Sequence, residues 1–423
     1  MKMTINKILN QIESSTDDIA KLCSKLVQIP TPNPPGNTEL CIKFIEEYFK
    51  EHNIPTEIYS RREGKANIVA KIEGESSTKI LWLGHVDVVP EGNREFWKHD
   101  PYSGEIDDHS VFGRGSSDMK GSCASAMIAA KNLKELGKPP NTVEFWFTCD
   151  EEIGGRDGAQ WLAKDGLIKG DVCIIGDSSG STPRKPYVDI GCKGLLWTKL
   201  KADGKTAHGS TPYLGENAIE KLLTVINAVK HVSDFELDIP EDLTSVLSSS
   251  VDFLLFNPEL NDVQRKAAKL LYKFPTVSLN ILEGGVKINV VPDTADAAID
   301  IRFTPGINID ELKKRVVDFI KLAGKRGITY EFQIGTGYYE SPKSVFVEQL
   351  SDVVNKITKE RPNLKILTGG TDAISLKNFQ GIPCLGFGSG LEGQAHTPNE
   401  HVSIENLVIA TKVYALFPLL YKS

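Results

Sequence analysis

"NTVEFWFTCDEEIGG" occupies residues 141–155. Its first half is an apolar run of strand length, and its second half sets two glutamates, Glu151 and Glu152, side by side. Neighbouring side chains on a strand point to opposite faces, and adjacent like charges repel. A solvated corner would accept such a pair. So would a site that needs one carboxylate on a metal and another on a proton.

Outward from this stretch, further apolar runs read as strands: "ANIVAKIEG" (66–74), "KILWLGH" (79–85) and "DVCIIGD" (171–177). Helical runs alternate with them. Residues 4–28 read as one amphipathic helix ended by "PTPNPPG" (30–36), since proline resists helix continuation. "TELCIKFIEEYFKEH" (38–52), the small-residue run "KGSCASAMIAAKNLKELG" (120–137) and "GAQWLAKDG" (158–166) follow. Apolar strands alternating with helices predict an α/β domain, a mixed sheet sandwiched by helices. The character changes near residue 190. "KGLLWTKLKADGKTAH" (193–208) alternates as a half-exposed strand does. A helix, two antiparallel strands, the helix "NIDELKKRVVDFIKLAGKRG" (308–327) and the strand "ITYEFQIG" (328–335) come after it. That order predicts a ferredoxin-like α+β domain over 193–338, inserted into a first domain of 1–192 and 339–423. Residues 233–274 are extra to it, irregular and then helical.

The 423 residues carry a net charge of −7, which disfavours nucleic acid or an anionic membrane as the main partner. No apolar run approaches a membrane span. The first residues lack the apolar core of a secretory signal, and the seven dispersed cysteines suggest reduced thiols and a cytoplasmic protein. Cys149, beside the paired glutamates, is read as a core residue, because a catalytic thiol needs a base and an electropositive setting. The glycine runs "GRGSSDMKG" (113–121) and "GFGSGLEG" (386–393) miss the dinucleotide and P-loop spacings.

Polar side chains end three apolar strands: His85, the Glu151–Glu152 pair and Asp177. The carboxyl ends of strands line the ligand crevice of an open α/β sheet. Asp118 sits in a glycine-rich loop that opens a helix, and His396 in the late loop "GQAHTPNEH" (393–401). Singly, His85 is a strand-end histidine, Asp118 a helix cap and Asp177 a turn residue. Jointly they suggest two imidazoles and several carboxylates gathered to hold zinc, with cobalt or manganese as alternatives. Asp87, at i+2 from His85, is placed to hold the ring's second N–H.

"GHVDVVP", "GRGSSDMKG", "TCDEEIGG", "AHGSTP" and "GGTDA…AHTPNEHV" occur in the order found in the ArgE/DapE/aminoacylase/carboxypeptidase family of di-zinc amidohydrolases, and the chain resembles that family over essentially its whole length. The resemblance implies two divalent metal ions. His85, Asp118 and Asp177 would hold one; Asp118, Glu152 and His396 would hold the other. It implies Glu151 as general base, Asp87 as the residue orienting His85, and a cis peptide after Asp118. The inserted domain would be a lid through which the chain forms a homodimer. His208 resembles the histidine that stabilises the oxyanion, in family dimers from the partner subunit. Arg302, Asn289 and the run Gly369, Gly370, Thr371 resemble substrate contacts. His99, His109, His231 and His401 match nothing catalytic. The expected substrate is a small N-acyl amino acid, of the acetylornithine or succinyl-diaminopimelate type. A dipeptidase or carboxypeptidase is the alternative, since aspartate at 177 is the residue of the family's dipeptidase and tripeptidase branches. A non-catalytic metal- or peptide-binding protein is the alternative of another class.

Overall fold

Every residue of the strand Thr142–Thr148 is buried, so both faces of the sheet it belongs to are covered. The computed structural model describes residues 2–177, 180, 182–257 and 260–422. They divide into two compact units: 1–191 with 340–365 and 371–423, and 192–339 with 366–370.

The larger unit contains strands β1 (Thr56–Ser60), β2 (Ala66–Ile72), β3 (Lys79–His85), β4 (Ser110–Phe112), β5 (Thr142–Thr148), β6 (Val172–Ile175) and β7 (Tyr187–Cys192). Its main sheet runs β1-β2-β5-β3-β6 and continues through the late strand Cys384–Gly386 to β7. The sheet is mixed. β1, β2 and β5 pair antiparallel, whereas β5, β3, β6 and the late strand are parallel to one another. The carboxyl ends of those four strands therefore open on one edge, with His85 opposite Thr148 in register. Flanking helices are α1 (Lys2–Ser14), α2 (Thr16–Val27), α3 (Glu39–Glu51), α4 (Gly121–Glu135) and α5 (Ala159–Lys164), followed late in the chain by Val345–Thr358, Ala373–Gln380 and Ile404–Leu420.

The expected single helix over 4–28 is instead the pair α1 and α2. The hydroxyls of Ser14 and Ser15 donate to the Gln11 carbonyl and that of Thr16 to the Glu13 carbonyl, which weakens the turn at Ser15. Asp17 and Asp18 then begin the second helix, where the dipole favours acids.

In the smaller unit, β8 (Gly194–Asp203), α6 (Ala218–Lys230), α7 (Thr244–Leu254), α8 (Asp262–Leu270), β9 (Thr276–Gly284), β10 (Thr294–Phe303), α9 (Ile309–Leu322) and β11 (Ile328–Gly335) follow in turn. The four strands form an antiparallel sheet in the order β11-β8-β10-β9. Burial alternates along β8 and β10, so one face is buried. Leu196, Leu200, Ile299 and Ile301 from that face pack with Leu222, Val225 and Val229 of α6 and Val316 of α9. Among the described residues no helix is long and apolar enough to cross a membrane.

Candidate metal centre

The edge where the parallel strands end carries the acidic and imidazole groups. β5 stops at Thr148, and Asp150 takes a left-handed φ of 72°. A single 3₁₀ turn, Glu151–Ile153, follows. This reversal breaks the strand alternation, so both glutamates can serve one site. The Asp150 turn is itself fastened from below. Lys65 Nζ donates to Asp150 Oδ1 at 2.7 Å, and the Asp157 N–H donates to Oδ2 at 3.2 Å. Both Lys65 and Asp150 are buried.

Asp118 lies in the segment Ser116–Lys120, and its peptide bond to Met119 is cis. Met119 passes close over the sheet. A Cβ on Gly84 would stand 2.2 Å from the Met119 methyl, and one on Gly176 would stand 2.8 Å from it. Glycine at the ends of β3 and β6 is what lets this loop approach the strands that deliver His85 and Asp177. The loop is anchored by Glu400. Its Oε1 accepts the N–H groups of Ser117 and Asp118 at 2.9 and 3.0 Å, and its Oε2 accepts Arg114 Nη1 at 2.5 Å. Glu400 lies four residues after His396, so one buried carboxylate joins the two loops.

His85 Nε2 lies 3.2 Å from Asp118 Oδ1, and His396 Nε2 lies 3.3 Å from Asp118 Oδ2 and 3.1 Å from Glu152 Oε2. Ligand atoms of His85, Asp118 and Asp177 lie within 4.8 Å of one another, and so do those of Asp118, Glu152 and His396. Asp118 belongs to both groups. Glu151 Oε2 stands 4.0 Å from His85 Nε2. Buried His85 Nε2 and Asp118 Oδ1 have no hydrogen-bond partner among the described residues. Buried polar atoms are rarely left so, and two that converge fit a cation between them.

The charges agree. Burial pushes the Glu151 carboxyl well above the usual range, and Asp177, Asp372 and Glu152 add to this against His85. Burial, then Asp118, pushes Asp177 up to about 8. The carboxylates of Asp118 and Glu152 raise His396 to about 10. Burial opposes protonation of His85, yet the Asp118, Glu151 and Asp87 carboxylates raise it well above its ordinary value. Such a cluster holds protons that a divalent ion displaces. Oxygen donors with imidazole suit zinc. The two groups would hold two ions, with Asp118 available to each, and such ions would polarise a carbonyl and lower the pKa of water.

Asp87 differs from expectation in detail. His85 Nδ1 lies 2.9 Å from the Asp87 carbonyl oxygen, but 3.7 Å from its carboxylate. The carboxylate instead accepts the Glu151 and Glu152 N–H groups at 3.2 and 3.3 Å and Asn33 Nδ2 at 2.8 Å. The chain turns after His85, which brings the carbonyl back to the ring and frees the carboxylate to hold the glutamate turn. The Cys149 thiol is buried, and burial pushes its pKa up, the setting of a core residue rather than of a nucleophile. His99 bonds Glu105 and stacks on Phe112, as a structural histidine does.

The remaining candidates are not members of the two ligand groups. Thr371 is buried in the larger unit. His208, Asn289, Arg302, Gly369 and Gly370 belong to the smaller unit. His208 is exposed, with Nδ1 2.7 Å from Ser210 Oγ, and the Gly209 N–H donates to the Asn289 carbonyl at 2.8 Å. Arg302 Nε donates to both oxygens of Asp300, two residues away on β10. Residues that sequence reasoning passed over are Glu400, Asn33, Lys65 and Asp150. Asn33 is in the proline run read only as a helix stop, and Glu400 is inside a quoted motif without an assigned task.

The model of peptidase family M20/M25/M40 matches residues 81–419. The chain belongs to this family. With its two ligand groups, it is a metal-dependent hydrolase of the amidohydrolase and peptidase kind. The chain is 28% identical over 411 residues to a probable succinyl-diaminopimelate desuccinylase of Staphylococcus aureus, covering 94% of this chain and 97% of that one. Its fold resembles that of the M20 family metallo-carboxypeptidase Sso-CP2 from Sulfolobus solfataricus, with a TM-score of 0.78 at 22% identity over 94% of this chain and 98% of that one. It also resembles the dipeptidase Dug1p from Saccharomyces cerevisiae, with a TM-score of 0.77 at 17% identity over 99% of each.

Proposed function

We propose that the protein hydrolyses the amide bond of an N-acyl amino acid, in the manner of an acetylornithine deacetylase or a succinyl-diaminopimelate desuccinylase. The observation that carries this is Glu151, a half-buried carboxyl beside two ligand groups that share Asp118. The similarity to a probable succinyl-diaminopimelate desuccinylase supports the substrate class. His85, Asp118 and Asp177 take one ion, and Asp118, Glu152 and His396 the other. Glu151 accepts the proton of the attacking water and delivers it to the leaving amine, a role that typically contributes about 10²–10⁴-fold. Asp87 keeps the glutamate turn in place and, through its carbonyl, the His85 ring. His208 stabilises the oxyanion, Arg302 pairs with the substrate carboxylate, and Asn289, Gly369, Gly370 and Thr371 contact the substrate.

The smaller unit is read as a ferredoxin-like lid over 193–338; its strand order supports this. A homodimer through it is supported by the open edge of β9, near which Ile281, Leu282, Val286 and Ile288 are exposed. The placement is cytoplasmic, on the dispersed reduced cysteines. A dipeptidase or carboxypeptidase is the second reading, favoured by aspartate at 177. A non-catalytic binding protein has no use for Glu151.

The test is a hydrolysis panel of N-acetylornithine, N-succinyl-diaminopimelate, other N-acyl amino acids and dipeptides, run on zinc-loaded protein with metal content measured. Turnover of an N-acyl amino acid well above any dipeptide is the expected result. Preference for dipeptides establishes the second reading, and inactivity on all in metal-replete protein removes both.

A further inference from the structure

The segment 233–274 is extra to the strand–helix pattern of the smaller unit, and its ends are joined: the Leu237 N–H donates to the Lys273 carbonyl at 2.8 Å. Between them, α7 and the turn after α8 project two hydroxyls onto one residue. The Ile366 N–H donates to Ser250 Oγ at 2.9 Å, and the Tyr272 hydroxyl donates to the Ile366 carbonyl at 2.6 Å. All three residues are buried. The next carbonyl, that of Leu367, accepts the Lys193 N–H at 2.9 Å. Both hydroxyl bearers are themselves fixed. Ser250 Oγ donates to the Val246 carbonyl, Thr304 Oγ1 donates to the Tyr272 carbonyl at 2.6 Å, and Lys193 Nζ donates to the Leu271 carbonyl at 2.8 Å.

Immediately beyond this clamped pair the chain is exposed at Thr368, Gly369 and Gly370. Among the described residues, a Cβ on Gly369 would meet no atom within 4 Å. Crowding among the described residues therefore does not require glycine at 369. What the missing side chain leaves bare is backbone that a ligand can approach.

We propose that the 233–274 insertion is a brace for the Thr368–Gly370 loop, and that Ser250 and Tyr272 are positioning residues for substrate recognition. The proposal rests on the reading that Gly369 and Gly370 contact the substrate. The brace fixes where the loop leaves the buried core, so it acts on substrate binding and leaves the metal ligands and Glu151 untouched.

Ser250→Ala and Tyr272→Phe each remove one hydroxyl. Three quantities are measured on the full chain: KM and kcat for the best substrate of the panel, zinc affinity of the metal-stripped protein, and amide exchange of the 366–370 segment. KM is expected to rise about three- to tenfold in each variant, the size of one lost buried hydrogen bond. The zinc affinity should be unchanged and kcat should move less than about twofold, the signature of lost uniform binding. Amide exchange across 366–370 should accelerate, and Ser250→Thr, which keeps a hydroxyl, should restore KM. Faster exchange with wild-type KM shows a loosened loop that the substrate does not feel, and overturns the proposal. So does unaltered exchange in both variants, or a KM change that follows loss of zinc. If the wild-type protein turns over nothing on the panel, the functional reading fails first and the proposal falls with it.

Discussion

The metal-facing residues of the larger unit and two candidate substrate contacts of the smaller one, His208 and Arg302, are held in opposite ways. Around the two ligand groups, the turns and loops that carry them are tied to buried partners from distant parts of the chain. Asp87 holds two glutamate N–H groups, Glu400 holds the Asp118 loop, and Lys65 holds the Asp150 turn. In the smaller unit His208 is exposed and bonded to Ser210 two residues away, and Arg302 is bonded to Asp300 at the same spacing. Ligands must converge on an ion to within tenths of an ångström, which demands a rigid frame. Side chains that meet a substrate can be ordered by the substrate itself. The rigid region therefore states the reaction class plainly, and the looser one leaves the substrate open.

The contrast is broken most forcefully at Glu151. Glu151→Gln should lower kcat by about 10²–10⁴-fold with metal content unchanged, whereas Glu152→Ala should lose metal. Metal analysis and turnover on the same samples decide the roles, and the reverse pattern would exchange them. Next comes the frame. Glu400→Ala leaves Arg114 buried without its partner, which costs about 3–5 kcal/mol in urea unfolding. It should also weaken zinc binding by roughly 10–100-fold, because the Asp118 loop loses its anchor. Unchanged affinity would show that the loop is held by other means.

A smaller effect belongs to Lys193 in the other unit. Burial pushes its ammonium down to about 8, with Arg302 adding and Asp300 opposing. The unfolded lysine titrates near 10.4, so between about pH 8 and 10 the unfolded chain binds more protons. Folding stability from this group must then rise with pH across that window, by about 1.4 kcal/mol per unit. It is at its lowest below pH 8. Urea midpoints of wild type and Lys193→Met over pH 7–10 should show the difference, and parallel curves would refute it. Smallest is Arg302→Ala. The Asp300 pair is partly exposed, so stability should fall by less than about 1 kcal/mol. Any large change should be in KM, with zinc binding intact.

Much of the catalytic frame is readable from sequence because buried strands are apolar and the residues that end them are not. His85, Glu151–Glu152 and Asp177 stand out for this reason, and the alternating burial of β8 follows directly from its pattern. Glu400 is less readable, since the atoms it joins are 282 to 286 residues away along the chain. Which atom of Asp87 faces His85 depends on a backbone turn that i+2 spacing does not fix. The break between α1 and α2 arises from hydroxyls competing for carbonyls within one turn. The brace is invisible to periodicity, because it consists of two hydroxyls aimed at one peptide unit about a hundred residues on.

His85 is 1% exposed on its side chain, while His396, on the other ligand group, is 55% exposed. An ion held by the His396 group would therefore be the more open to chelators and competing cations. Under zinc starvation the two should leave in order, the His396 ion early and the His85 ion late. A half-loaded protein would then persist, needing one atom of metal to recover.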